Sequence, residues 1–532
     1  MTGMSNLFGY IGETIAVPSI DGWNANLNID LIPPSNVTDI INMNLHKGGR
    51  NTRGGVSKVN STAITNTVQL MGGYQFRLKN KNEFILTATA DGKIQKDYVT
   101  ELKTSLTLDV YSMFETFEDK AYICNGADRP QTWDGTATGT TQISGIPSDW
   151  TGTNWPKHII KHGKGISESL WAYGCSLNPE SIYVSQNGTD NFADGQVQKI
   201  PIDTKDGFGI VAGMEFGDKF FAFGKRKTYV IDDSSTTRSN WGYNDVQWEG
   251  GAAHERAVCK TPNDLIIFDE NLELYSITTT QAYGDYKAAS LTRPAFINVW
   301  IANNVDKSQI NKFHIVYDDD IRAIKWFVVR NGQTRADTAL VFFIDKGVAN
   351  GWTRHLYASV NFASCSFPVR VSAANWKIYT GGHNGNVFQL ETTTFNDDGV
   401  KYYNGYTTPY LGFENARISK NYFNGWLVLV PQGTETVKGK VSVDGNSILG
   451  GYPLVDENGV NITDENGNEI FGNSEETFTV IASASSTLQN LVYPIRKNGN
   501  RIRTEVYNET INESFFISQQ LFDFEYLEKK PA

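Results

Sequence analysis

Apolar and polar residues alternate with a period of two along most of this chain. In Trp376 to Glu391, WKIYTGGHNGNVFQLE, positions Trp376, Ile378 and Thr380 alternate with Lys377 and Tyr379; after a glycine-rich interruption, Asn386, Phe388 and Leu390 alternate with Val387 and Gln389. Period two sends successive side chains to opposite faces, so the stretch reads as two strands joined by a turn. The turn lies in Gly381-Gly382-His383-Asn384-Gly385. Asn-Gly is a strong hairpin signal because both central residues of a type I′ turn need positive φ. Asn384 and Gly385 are therefore expected to set the turn, with Trp376, Ile378, Phe388 and Leu390 facing a core. His383 is expected to be one more turn residue rather than a reactive group.

The same shape recurs. Phe84 to Tyr98 turns at Asp91-Gly92, Ala121 to Trp133 at Asn125-Gly126, Lys219 to Ile231 near Gly224, and Leu265 to Ile277 at 269–271. Leu170 to Gly174 leads through a loop to Ser181 to Ser185, and Ala323 to Val329 pairs with Thr338 to Ile344 across Asn331-Gly332. The recurrence, roughly every 35–60 residues, suits one four-stranded propeller blade per repeat. A single blade cannot bury its own apolar faces, so blades stack around an axis. The pattern predicts an all-β chain with an irregular β-propeller of six or seven blades over 61–410. A series of sandwiches or a β-solenoid is the alternative arrangement.

Two segments stand outside the repeat. Residues 1–60, with Ile32-Pro33-Pro34-Ser35 and Gly48-Gly49-Arg50-Asn51-Thr52-Arg53-Gly54-Gly55, read as an extended arm and a lead-in strand. Residues 411–532 read as a second all-β domain with a polar, turn-rich excursion at 453–475. Helical periodicity is confined to Ala295 to Asn304.

Composition sharpens this picture. The 532 residues include 49 Gly, 24 Tyr and 29 Phe, a balance that favours strands and tight turns. No apolar run reaches the roughly 18 residues of a membrane helix, and MTGMSNLFGYIGETIAVP lacks the basic start of a cleaved signal. Cys124, Cys175, Cys259 and Cys365 are too irregularly spaced for a zinc site or a disulfide framework and are expected as buried free thiols. The net charge is -11 with a pI near 5.3. This argues against a protein that grips DNA phosphates and permits a wall past which DNA slides.

Candidate chemistry is sparse. His158 and His162 sit at i, i+4 but lack the Glu of H-E-x-x-H, and Gly163-Lys164-Gly165 follows; solvated histidines in a basic loop are expected. His254-Glu255-Arg256 cannot converge if adjacent strand residues point to opposite faces. Trp133-Asp134 and Gly382-His383 do not recur at WD-repeat spacing. Asp464 to Glu469 has Gly467 at the fourth rather than the sixth place of a calcium loop, which leaves a hairpin turn. No cofactor, metal or catalytic set is expected. Asp318-Asp319-Asp320 and Asp397-Asp398 are the acids a glycosidase would draw on, but acidic runs at turns are expected to be solvated. The basic triplet Lys225-Arg226-Lys227 is expected at a hairpin tip, as a solvated turn or as a contact for an acidic partner or passing phosphates.

Three stretches carry a family resemblance. SLWAYGCSLNPESIYVSQNGTDNFADG (169–195), Gly207 to Gly213 with GDKFFAFGKRKTYVID (217–232), and GGAAHERAVCKTPNDLIIFDENLELYSIT (250–278) are similar to consecutive blades of tail propellers. Arg53-Gly54-Gly55 sits where that family has Arg followed by Pro-Gly or Gly, with the Pro missing. Over roughly residues 30–420 the chain resembles the tail hub or nozzle proteins of short-tailed bacteriophages, also called tail stabilisation or accessory proteins. The resemblance implies a virion protein made in the host cytoplasm and assembled as a homohexameric ring below the portal and its adaptor. Such a ring extends the DNA channel, helps retain the genome and carries needle, fibre or spike proteins. The other function classes in view are a propeller enzyme, glycosidase or lyase, acting on host polysaccharide, and a carbohydrate-binding propeller.

Overall fold

A computed structural model describes residues 13–164, 167–204, 206–280, 285–359, 361–431, 434–444, 476–482 and 488–527. The predicted excursion at 453–475, with its Asp464 to Glu469 turn, lies outside the described residues. The chain divides into two compact units: 55–342 with 357–392, and 1–54 with 343–356 and 393–532.

The first unit is a β-propeller, and its sheets settle the blade number at seven. The innermost strands are Leu70–Arg77, Met113–Phe117, His158–His162, Ala212–Phe216, Val258–Lys260, His314–Asp318 and Cys365–Ser372. Each touches the next, and the last touches the first, so the ring is closed. Every predicted hairpin supplies middle strands of one blade. Leu265–Phe268 and Ala323–Val328 are buried at every position, because a blade is covered on both faces by its neighbours. The cores accordingly lie between blades: Trp171, Tyr173, Phe220 and Tyr229 between blades 3 and 4, and Leu70, Phe367, Tyr379 and Val387 between blades 7 and 1. The predicted helix is present as Ile297–Asn304.

Closure comes from the N-terminal side of the chain. Gly55–Lys58 adds the outer strand of blade 7, pairing antiparallel with Val387–Thr392 (Phe388 opposite Lys58, Gln389 opposite Ser57). The buried Asn60 fastens the junction: its Oδ1 accepts from the Val387 amide at 2.7 Å and its Nδ2 donates to the Gly385 carbonyl at 3.0 Å. Gly385, at φ +76°, also accepts from the Ile64 amide at 2.8 Å.

The second unit is built from two sheets. One orders Met43–Asn44, Arg50–Thr52, Phe515–Tyr526, Lys420–Pro431 and Gln489–Gly499, with Glu13–Pro18 also on Phe515–Tyr526. The other carries Trp352–Leu356, Asp39–Ile41, Asn404–Thr407, Arg501–Asn508, Glu435–Asp444 and Glu476–Ala482. Arg501–Asn508 alternates strictly between buried and half-buried, the signature of a sheet with one face on a core. This differs from the expected boundaries. Residues 13–54 are not a separate arm but belong to this unit, 55–60 belong to blade 7, and 393–410 group with this unit rather than with the propeller. Pairing across hundreds of residues has no local periodicity to announce it.

The acidic runs also depart from expectation. Asp397 is fully buried and forms a bidentate pair with Arg53, at 2.9 and 2.7 Å. Arg53 further donates to Asn42 Oδ1 at 2.9 Å and lies over the Tyr402 ring at 4.0 Å. Asp318 is buried beside Lys325 (3.4 Å), which also meets Glu391 at 2.6 Å. Burial, outweighing Lys325, pushes the Asp318 carboxyl up to about 6. Buried charges persist only when paired and hydrogen-bonded, and here the partners come from distant strands.

Candidate functional site

The propeller axis holds a cavity of about 200 Å³ lined by the innermost strands and the segment before blade 5. Gly73 lets the first blade approach closely: a Cβ there would sit 2.0 Å from the Phe367 ring. Into this cavity face His158, Glu255, Arg256, His314 and Ser366. The imidazoles are engaged. His158 Nδ1 meets the Tyr173 hydroxyl at 2.8 Å, and burial depresses its pKa to about 4. His314 Nε2 meets Ser366 Oγ at 2.8 Å, its ring stacks on Phe327 at 4.6 Å, and burial holds it well below the ordinary range. His254 Nδ1 accepts from the Arg256 amide at 3.1 Å, so its Nε2 donates to the Ile310 carbonyl at 3.0 Å; burial with Arg256 nearby lowers it to about 4. The His314–Ser366 and His254–Ile310 contacts fasten neighbouring blades to one another, while His158 ties two strands of blade 3 together. Arg256 lies over the Tyr111 ring at 3.4 Å and donates to the Ser364 and Asn311 carbonyls. Beside this set, burial pushes the Glu115 carboxyl up to about 7, where it accepts from the Thr116 and Lys161 amides.

His162 has a different environment. Its ring nitrogens meet Glu215 Oε2 at 2.9 Å and Asp233 Oδ2 at 3.0 Å, and its edge packs on Trp171 at 4.9 Å. Burial lowers its pKa, but the two carboxylates outweigh burial and leave it raised. Both His158 and His162 are thus buried strand residues rather than solvated loop histidines. The buried Ile159-Ile160 between them holds the segment in a strand despite the flanking lysines and the glycine turn that suggest a solvated loop.

The triplet Lys225-Arg226-Lys227 does lie at the hairpin tip of blade 4, where it lines a cleft of about 530 Å³. Lys225 pairs with Glu270 at 2.8 Å and stands 4.7 Å from the Phe208 ring centre; Lys227 lies 3.4 Å from Asp245. Asp206, Glu249, Asp269 and Glu270 share the cleft. Four carboxylates against three cations make a mixed-charge surface rather than a phosphate cradle. Arg226 is exposed and has no ion-pair partner among the described residues.

In the 382–386 turn, Gly385 is left-handed and Asn384 is not. The strands pair up to Gly381 opposite Val387, leaving a five-residue loop rather than the two-residue type I′ turn expected. The Asn384 side chain, through Oδ1, accepts from the Asn386 amide at 3.4 Å. His383 meets Gln69 Oε1 at 3.0 Å. Ile378, Phe388 and Leu390 are buried as expected, but Trp376 is 38% exposed. It lies at the strand end beyond the covering blade. His254-Glu255-Arg256, set aside as unable to converge, places Glu255 and Arg256 at the axial cavity, and Glu115 carried no sequence signal, because only ring closure brings the blades' first strands together. Arg53 beside two glycines was the one legible signal of the buried Arg53–Asp397 pair. Among the described residues no cluster of three His, Cys, Asp or Glu could hold a metal, and all four cysteines are buried and free.

No family model and no curated protein matches this chain. Among solved structures it is similar to YCF48 from Cyanidioschyzon merolae, at 10% identity and TM-score 0.39 over 63% of this chain and 98% of that one. It is similar also to BBS1N in complex with ARL6DN, at 11% identity and TM-score 0.40 over 64% and 98%. A third is the extracellular domain of the putative hybrid two-component system BT3049 from B. thetaiotaomicron, at 11% identity and TM-score 0.40 over 80% and 53%. These likenesses concern the fold and carry no ligand or partner over to this chain.

Proposed function

We propose that the protein is a structural component of a short-tailed phage tail: a hub or nozzle subunit forming a hexameric ring below the portal and adaptor. The ring extends the DNA channel, helps retain the genome and carries needle, fibre or spike proteins. The observation that carries this reading is the placement of the three family-like stretches. Residues 169–195, 207–213 with 217–232, and 250–278 fall on three successive blades, 3, 4 and 5. The fastened closure at Asn60 and the buried Lys325 and Arg53 ion pairs suit a part that bears load without moving. The net charge of -11 suits a surface that does not hold its DNA cargo. Asp318 and Asp397, which an enzyme reading would use, are already engaged in buried pairs. Exposed Arg226 is the member of its triplet free to reach an acidic partner.

The test is mass spectrometry and electron microscopy of purified virions. A ring of this protein at the tail supports the proposal. Absence from virions, or a location on the capsid shell alone, refutes it. The isolated protein is expected to be a monomer or weak oligomer that rings only with its adaptor; a stable hexamer by mass photometry at nanomolar concentration would count against that step.

A further inference from the structure

Next to the axial cavity the propeller holds a second one, of about 530 Å³, formed by blades 5, 6 and 7 with Met214 of blade 4. Met214, Val258, Ile315 and Ser366 line both, so the two adjoin along the axis. The volume falls in the range of roughly 300–1,000 Å³ used by small-ligand sites. Trp376 lies on its wall, and among the described tryptophans it alone is exposed, at 38%. Pro262, Pro368 and Ile378 extend the apolar lining. Two charged side chains share the cavity: Lys260 at the end of the first strand of blade 5, and Asp319 just after the first strand of blade 6. Both are exposed, and neither has an ion-pair partner among the described residues.

We propose that this cavity is a saccharide-binding site. A pyranose ring presents an apolar C–H face and a rim of hydroxyls. The indole of Trp376 offers a flat apolar surface at small conformational cost. The Lys260 ammonium is a pure donor and the Asp319 carboxylate a pure acceptor, and sugar hydroxyls satisfy both at once. Lys260 also lies within electrostatic reach of Glu215 and Asp218, so the site has no net positive charge to attract phosphate. The ligand class is therefore a neutral or singly charged sugar, held by its ring face and two or three hydroxyls. This reading stands on Trp376, Lys260 and Asp319 and is independent of the tail assignment.

Saturation-transfer NMR on the full chain tests it, with methyl β-glucopyranoside, methyl β-galactopyranoside, N-acetylglucosamine and glucuronate as probes. The expected result is transfer to the ring C–H protons of at least one probe. Its affinity should weaken by about tenfold or more in Trp376→Ala and in Asp319→Asn. Asp319→Asn should melt as the wild type does, since that carboxylate is exposed; Trp376 is only 38% exposed, so Trp376→Ala is assayed well below its own melting transition, and Lys225→Ala should bind as the wild type does. No transfer to any of the four sugars overturns the proposal, as does transfer undiminished in Trp376→Ala. Decaproline bound in preference to every sugar would also overturn it, by making the cavity a peptide-docking site.

Discussion

Replacing Asn60 with Ala should loosen the propeller at one known seam. Asn60 Oδ1 accepts from the Val387 amide at 2.7 Å, while Nδ2 donates to the Gly385 carbonyl at 3.0 Å and to the Thr62 carbonyl at 2.8 Å. Val387 is fully buried, so its N–H would lose its partner with no water to replace it. A buried donor left unsatisfied costs about 1–3 kcal/mol, and each further hydrogen bond about 0.5–1.5 kcal/mol. The Gly385 carbonyl keeps the Ile64 amide, so its loss counts at the low end. The expected total is roughly 2–4 kcal/mol. Urea unfolding followed by tryptophan fluorescence reads it, with limited proteolysis reporting whether cleavage concentrates in residues 55–64. Asn60→Asp keeps the acceptor for Val387 but turns a carboxylate towards two carbonyls, so it should be no better than Ala at pH 7. A loss below about 0.5 kcal/mol for Asn60→Ala, within the scatter of ordinary surface substitutions, would refute this account of closure.

Lys325→Ala should cost about 3–5 kcal/mol, because Asp318 and Glu391 would remain buried without their cation; the triple change Lys325→Met, Asp318→Asn, Glu391→Gln should recover much of that in the same denaturation assay. Gly385→Val places a β-branched residue at φ +76° with its Cβ 2.9 Å from the Ile64 carbonyl oxygen, and a thermal melt should register a loss of at least about 2 kcal/mol. The His162 pKa is raised in the folded state, so its contribution is fully present below the unfolded value of about 6.5 and is lost as pH rises through the higher folded value. The stability gap between wild type and His162→Asn should therefore be wider at pH 6 than at pH 9, and a gap that widens with rising pH would contradict the Glu215–His162–Asp233 arrangement.

The seven hairpins were legible in the chain because strand periodicity and Asn-Gly or Asp-Gly turns are local properties. Each of Phe84 to Tyr98, Leu265 to Ile277 and Trp376 to Glu391 carries its own apolar strand pattern, alternating or continuous, and its own turn, and needs no partner to declare it. The axial site was not legible. His158, Arg256 and His314 come from three different blades, and a period-two pattern says which face a side chain takes but not which blade will cover it. The acids at Asp318 and Asp397 looked like turn residues because charged groups at turns are normally solvated, and Arg53, though legible beside Gly54-Gly55, gave no hint of its distant partner. Tertiary structure alone decided otherwise. Arg53 and Asp397 are separated by 344 residues, and their pairing depends on strands 39–41 and 404–407 lying side by side. The same holds for blade 7, whose outer strand is drawn from residues 55–58. Local sequence dictates strands and turns through backbone sterics and side-chain alternation. Which strands meet, which charges are sealed together and where the ring closes depend on contacts whose chain-closure cost only the assembled core repays.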